Sequence, residues 1–176
     1  GATSGIGEEF CWQLAAAGHD MVLIARREEA LRALADSLAN VAGVRAEVIA
    51  ADLSTDEGCA RVAARLDVGC PADCDKPDLA PVDLLINNAG FGLGSDFLDN
   101  SLDNEINGLN VMVRAVMTLA HHAGISMHSR GRGAILNVGS VASRTGAGTY
   151  SAHKAWVVAF TEGLAAELKG SGITAT

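Results

Sequence analysis

Short apolar runs alternate with longer helical patterns along the whole chain, and this alternation limits its possible folds more than any other feature. Asp20–Ala25 (Asp-Met-Val-Leu-Ile-Ala), Val44–Ala50, Val82–Asn87 and Ala134–Val138 read as strands. Between them, Glu8–Ala17 has helical character and stops at Gly18, a residue suited to a C-terminal cap. Leu31, Leu34, Ala35 and Leu38 fall at i, i+3, i+4 and i+7, one stripe of an amphipathic helix. Ser54-Thr55-Asp56-Glu57 has capping-box spacing and predicts a helix running to about Leu66. Further helices are expected from about Asp103 to Ala123 and from Tyr150 to Leu168, and Ile173–Thr176 reads as the beginning of another strand. Repeated βα units imply a parallel sheet with right-handed crossovers and helices on both faces. The expected fold is α/β: a doubly wound parallel sheet in three α/β/α layers.

At 176 residues and 49% hydrophobic, residues 1–176 suffice for a single domain with a sizeable core. The net charge of −8 is not offset by any basic cluster, since Arg26-Arg27 and Arg130-x-Arg132 stand apart. That balance argues against a nucleic-acid or anionic-membrane surface. No apolar run approaches the roughly 20 residues needed to span a bilayer, and the start does not resemble a signal peptide. A cytoplasmic location is expected. Cys11 and Cys59 fall in helical patterns and read as small core residues. Cys70 and Cys74 lie in a polar loop without a His or further Cys to complete a zinc site, so no metal is expected. The segment Asp67–Pro81 holds all three prolines and reads as a surface loop within the domain.

Gly1-Ala2-Thr3-Ser4-Gly5-Ile6-Gly7 leads straight into a helix. Glycines there let the backbone turn sharply and approach a pyrophosphate, while the helix N-terminus supplies amide donors. NAD-binding versions of this arrangement place a carboxylate on the adenosine ribose roughly 20 residues further on. That place, 19 residues beyond Gly7, holds Arg26, with Arg27 after it. Guanidinium groups pair with a 2′-phosphate that a carboxylate would repel, which favours NADP(H) over NAD(H).

Tyr150 and Lys154 are four residues apart, about one helical turn, so the phenol and the ammonium share a face. Free tyrosine titrates near ~10, and a nearby cation favours the phenolate, which makes such a pair usable for proton transfer. Tyr and Lys at this spacing also occur by chance on many helices.

Together these pieces resemble the short-chain dehydrogenase/reductase (SDR) family in its classical branch, over essentially the whole chain. Gly1-Ala2-Thr3-Ser4-Gly5-Ile6-Gly7 is similar to the family's Thr-Gly-x-x-x-Gly-x-Gly cofactor loop, lacking only the leading Thr. Asp52-Leu53 resembles its adenine-contacting acidic position, and Asn87-Asn88-Ala89-Gly90 its Asn-Asn-Ala-Gly motif, which lines the cofactor site. Ser140 fits the catalytic serine after the family's fifth strand, and Tyr150-x-x-x-Lys154 its active-site signature.

The resemblance implies a Rossmann-like domain that transfers a hydride between NADP(H) and a carbonyl or alcohol carbon of a small molecule. Tyr150 would protonate the nascent alkoxide, Lys154 would assist it and hold the nicotinamide ribose, and Ser140 would hydrogen-bond the substrate oxygen. No metal is implied. A homodimer or homotetramer formed through helices around Val111–Ala123 and Ala152–Leu168 is implied as well. His153 sits inside the signature and reads as a bystander on another helical face, as do His121 and His122 near a helix end. Phe91, Leu93, Phe97 and Trp156 suit an apolar pocket, a subunit contact or core packing.

Three departures qualify the match. The family's catalytic asparagine, which helps hold a water for proton relay, follows the first Asn of Asn-Asn-Ala-Gly by roughly 25 residues, and that count lands on Met112. Asn110 lies about 200° away on a regular helix and cannot simply substitute; only a helix irregularity could restore it, and none is expected. Asn107 is more distant. Ser140 precedes Tyr150 by ten residues where many members show about thirteen, which leaves Ser143 as the alternative serine. The family's first strand would precede Gly1 and its substrate segment would follow Thr176. The sequence therefore reads as truncated at both ends, part of a domain of about 240 to 270 residues, and as poorly stable and inactive by itself. A non-catalytic NADP(H)-binding sensor or scaffold with the same fold is the alternative function.

Overall fold

β1 (Met21–Ala25) and β2 (Ala46–Ala50) run in parallel, with Ala25 opposite Ala50. In the computed structural model, which describes residues 1–68 and 80–176, they form a two-stranded sheet. β3 (Leu84–Asn87), β4 (Gly133–Asn137) and β5 (Ile173–Ala175) form a second parallel sheet in that order. β1 and β3 share no partner strand among the described residues. The architecture is a Rossmann-like α/β fold with helices joining parallel strands, and the chain divides into two compact units, Gly1–Val62 and Ala63–Thr176.

The first unit opens with α1 (Gly5–Ala16), three residues earlier than the helical pattern suggests. The glycines that mask its start in the sequence, Gly5 and Gly7, lie in its first turn. After β1 comes α2 (Glu28–Ala42), whose stripe Leu31, Leu34 and Leu38 is buried with Cys11, Ala15, Leu23 and Val44. Full burial of a leucine contributes about 1.5–3 kcal/mol, so this stripe is the main hold of α2 on the sheet. Asp20 and Arg45 tie the entry ends of β1 and β2: one carboxylate oxygen accepts the Arg45 backbone N–H at 2.8 Å, the other its guanidinium at 2.6 Å.

α3 (Asp56–Leu66) corrects the capping expectation by one residue. Thr55 is the cap, its Oγ1 accepting the Gly58 N–H at 3.0 Å, while the Ser54 hydroxyl donates to Asp52 Oδ1 at 2.7 Å. Gly58 is required by close approach, since a Cβ there would run into the Asp52 carbonyl.

In the second unit the expected helix over 103–123 is three pieces. α4 (Leu102–Leu109) passes into a π-helical turn over Asn110–Arg114, and α5 (Ala115–Arg130) continues seven residues beyond Ala123 to a left-handed Gly131. The turn is marked by the Ala115 N–H donating to the Asn110 carbonyl, five residues back. α5 packs on all three strands of its sheet, burying Leu119, Ala123 and Met127. A 3₁₀ turn (Val141–Arg144) and α6 (Gly148–Glu167) follow β4.

Polar side chains also cross this sheet. Asn87 Nδ2 donates to Asn137 Oδ1 at 2.9 Å, and Asn137 Nδ2 donates to Thr161 Oγ1 on α6 at 2.9 Å. Cys11 and Cys59 are buried thiols, as the helical patterns suggest, whereas Cys70 and Cys74 lie outside the described residues. Among the described residues no group of three or more His, Cys, Asp or Glu is placed to hold a metal ion, and no helix is long and apolar enough to cross a membrane.

Candidate active site

α6 carries both residues of the Tyr-x-x-x-Lys pair in its first two turns. Lys154 is buried, 6% exposed, and its Nζ donates to the Val138 carbonyl just past β4 at 2.7 Å. Burial pulls its pKa below the ordinary lysine value. Gly90, last residue of the Asn87–Gly90 motif, lies beside it: a Cβ at Gly90 would stand 3.7 Å from Lys154 Nζ and 3.5 Å from the Met112 side chain. Lys154, Val138 and Gly90 are thus brought together by β3, β4 and α6. Tyr150 is half-buried one turn earlier, and Asn88 and Ala89 are half-buried beyond β3.

Ser140 leads the 3₁₀ turn in extended conformation, its Oγ accepting the Ala142 N–H at 3.1 Å. This turn packs along α6, which puts the serine and the tyrosine on adjoining elements despite the shortened connection. Ser143 lies within the turn and bonds through its backbone N–H to the Ser140 carbonyl at 3.0 Å.

Asn110 opens the π-turn and is half-buried, while Met112 is 1% exposed in the core. The angular count that separates Asn110 from the relay position assumes a regular helix, and the helix is not regular there. π-turns are rare and frequent at functional sites.

Sequence reasoning missed one group beside the signature, Glu105, and left the environment of His153 open. Glu105 on α4 is a buried carboxylate, 7% exposed, that accepts hydrogen bonds from the Thr149 hydroxyl and from Asn100 Nδ2. Those two bonds, Thr149 first, pull its pKa down against the opposing effect of burial. His153 is 8% exposed and its Nδ1 has no hydrogen-bond partner among the described residues; burial lowers its pKa, opposed by the Glu105 charge. It is a core histidine, where the sequence reads only as a bystander. The same sequence reading applied to His122, whose Nδ1 lies 2.9 Å from Asp67 Oδ1. Helical spacing alone could have placed Glu105 on a face of α4, but its partner Thr149 is 44 residues away.

In the first unit, the loop at Gly1–Gly7 is tied to β1 by the Ala2 N–H donating to the Ile24 carbonyl at 3.1 Å. Thr3 is half-buried, Ser4, Gly5 and Ile6 are exposed, and Gly7 is buried. Gly5 has φ +54°, a left-handed value that strains any side-chain-bearing residue, and Ser4 places no side-chain cap on the first N–H groups of α1. Arg26 and Arg27 leave the exit end of β1, both exposed and without a salt bridge among the described residues. Asp52 leaves the exit end of β2; the backbone and side-chain hydrogen bonds from Ser54 hold its carboxyl below the usual range, and the Arg26 charge adds to them. Leu53 is half-buried beside it.

The family model described as short chain dehydrogenase matches residues 1–176. The chain belongs to that family. It is 33% identical to a short chain dehydrogenase of Pseudocercospora fijiensis, over 98% of this chain and 54% of that protein. It is 31% identical to the 7beta-hydroxysteroid dehydrogenase of Collinsella aerofaciens, over 98% of this chain and 63% of that one. A solved short-chain dehydrogenase from Sphingobium yanoikuyae in complex with NADPH superposes with a TM-score of 0.90 at 34% identity, covering 100% of this chain and 66% of that one. The chain thus spans less than two thirds of the length of these two curated relatives.

For this family member the residues present suit a dinucleotide. Helix N–H groups behind a left-handed glycine, with no side-chain cap among the described residues, suit a pyrophosphate, and exposed guanidinium groups at the end of β1 suit a further phosphate.

Proposed function

We propose that the protein is an NADP(H)-dependent oxidoreductase that interconverts a carbonyl and the corresponding alcohol on a small molecule. The observation that carries the proposal is the buried Lys154 ammonium, pinned to the Val138 carbonyl beside Gly90 and one helical turn from Tyr150. A cation held there favours the charged form of a neighbouring phenol and stands ready for the hydroxyls of a ribose.

In the reductive direction the chemistry that NADPH would supply when bound is a hydride for the carbonyl carbon. Tyr150 gives its phenolic proton to the carbonyl oxygen, so that C=O becomes CH–OH. The Ser140 hydroxyl hydrogen-bonds the same oxygen and stabilises its developing charge. Lys154 supports the tyrosine and the nicotinamide ribose, and Asn110, at the head of the π-turn, is the candidate to hold a water that returns the proton. Gly1, Thr3, Ser4, Gly5, Ile6 and Gly7 are assigned to the pyrophosphate, Arg26 and Arg27 to the 2′-phosphate, Asp52 and Leu53 to the adenine, and Asn88, Ala89 and Gly90 to the nicotinamide side. The NADPH complex of the Sphingobium yanoikuyae relative supports the cofactor. Residues 1–176 are read as one functional domain, and a homodimer or homotetramer is the proposed assembly.

The test is absorbance at 340 nm with the full-length protein, NADPH or NADH, and a panel of aliphatic, aromatic and steroid ketones. Carbonyl-dependent oxidation of NADPH faster than of NADH supports the proposal. Cofactor binding without turnover on any ketone or alcohol contradicts it and favours the sensor.

A further inference from the structure

Glu105 and Thr149 join α4 to the first turn of α6 immediately before Tyr150. The Thr149 hydroxyl donates to Glu105 Oε2, and Asn100 Nδ2 donates to Glu105 Oε1 at 2.7 Å. Asn100 Oδ1 accepts in turn from Asn104 Nδ2 at 2.9 Å, and the same Nδ2 reaches the Leu93 carbonyl at 3.0 Å. A continuous polar chain therefore runs from the loop after Asn87–Gly90 to the residue preceding the tyrosine. On the other side of Tyr150, the Ser151 hydroxyl, 4% exposed, meets the Thr145 hydroxyl at 3.1 Å.

The first turn of α6 lacks a side-chain cap of its own. Its N-cap, Ala147, offers no side-chain acceptor, and Gly148 sits at φ +65°. The ten-residue connection from Ser140 leaves few residues to brace the turn. Glu105 meanwhile forms no salt bridge among the described residues, and the hydrogen bonds from Thr149 and Asn100 are the main hold on its charge. Packing by itself is served equally well by an apolar side chain of similar volume, whereas a carboxylate fixes a donor at a defined place.

We infer that Glu105 and Thr149 form a latch that sets the position of the Tyr150 phenol, with Glu105 as a positioning residue for the proton donor. The inference rests on the proposed role of Tyr150 and adds a determinant to it. Without the latch the first turn of α6 frays, and the phenol loses its alignment to the carbonyl oxygen while the cofactor residues elsewhere stay in place.

The test uses Thr149→Val, Thr149→Ser and Glu105→Gln/Thr149→Val in the full-length protein. Readouts are kcat, KM for NADPH, and amide hydrogen exchange over residues 148–153. Thr149→Val should lower kcat about tenfold or more, as expected for a misplaced reacting group, with KM for NADPH changed less than about twofold. Exchange over 148–153 should rise in Thr149→Val and stay at the wild-type rate in Thr149→Ser, which keeps the hydroxyl. The double variant should be no worse than Thr149→Val, because the two residues act as one unit. Unchanged exchange in Thr149→Val, or equal loss of kcat in the Ser and Val variants, overturns the latch. Full turnover in Tyr150→Phe overturns the assignment of the proton donor instead, and the exchange comparison then still decides whether the latch exists.

Discussion

Lys154 Nζ donates to the Val138 carbonyl at 2.7 Å, which pins the start of α6 to the chain leaving β4. Lys154→Met keeps the length of the side chain and removes both the charge and this bond. Carbonyl reduction should fall by about 10²- to 10⁴-fold in kcat/KM, the range for loss of proton-transfer assistance. The Val138 carbonyl is left without its donor, so urea unfolding should also show a loss of about 1–3 kcal/mol. Steady-state rates and a denaturation curve on the same preparation read both effects.

Arg26 and Arg27 stand exposed and, among the described residues, without a salt bridge at the end of β1, where a 2′-phosphate is proposed to lie. Replacing both with alanine should raise KM for NADPH about ten- to a hundredfold, the worth of one or two charged hydrogen bonds, and change KM for NADH little. An equal rise for the two cofactors would assign the arginines to the shared part of the dinucleotide.

Most of the strands, the α2 stripe and the Lys154–Tyr150 spacing were legible in the sequence because each is a local pattern. Leu31, Leu34 and Leu38 repeat at helical intervals and are buried as that repeat requires. The π-turn at Asn110–Arg114 was not legible, since no proline or glycine lies within Asn-Val-Met-Val-Arg. The angle that sets Asn110 apart from position 112 was drawn on a regular helix, and the π-turn departs from that geometry. Glu105 and Thr149 stayed hidden for another reason: their meeting is a long-range contact between α4 and α6 that no local periodicity encodes.

Asn137 is 8% exposed and bridges Asn87 on β3 to Thr161 on α6. Asn137→Ala leaves two polar partners without their bonds in the interior, and should destabilise the fold by about 2 kcal/mol. Thr161→Val removes one of these contacts and should cost less. Urea midpoints at constant m-value make the comparison.

His153 gives the stability a defined pH dependence. Its folded pKa lies below the unfolded value of about 6.5 because burial disfavours the imidazolium, with the Glu105 charge opposing. Between the two values the unfolded chain binds the proton more readily, so the stability is present above about pH 6.5 and falls as pH drops toward the folded value. His153→Gln should reduce the fall in Tm between about pH 7 and pH 5 relative to wild type. An identical fall in both proteins would locate the titration elsewhere.

The assignment of Tyr150 as proton donor is tested most directly by Tyr150→Phe in the full-length protein, with NADPH affinity and carbonyl turnover measured together. Removing the phenolic hydroxyl should lower kcat by about 10²- to 10⁴-fold and leave the Kd for NADPH within about threefold of wild type. Turnover retained within about tenfold of wild type, with NADPH still bound, would contradict proton donation by Tyr150.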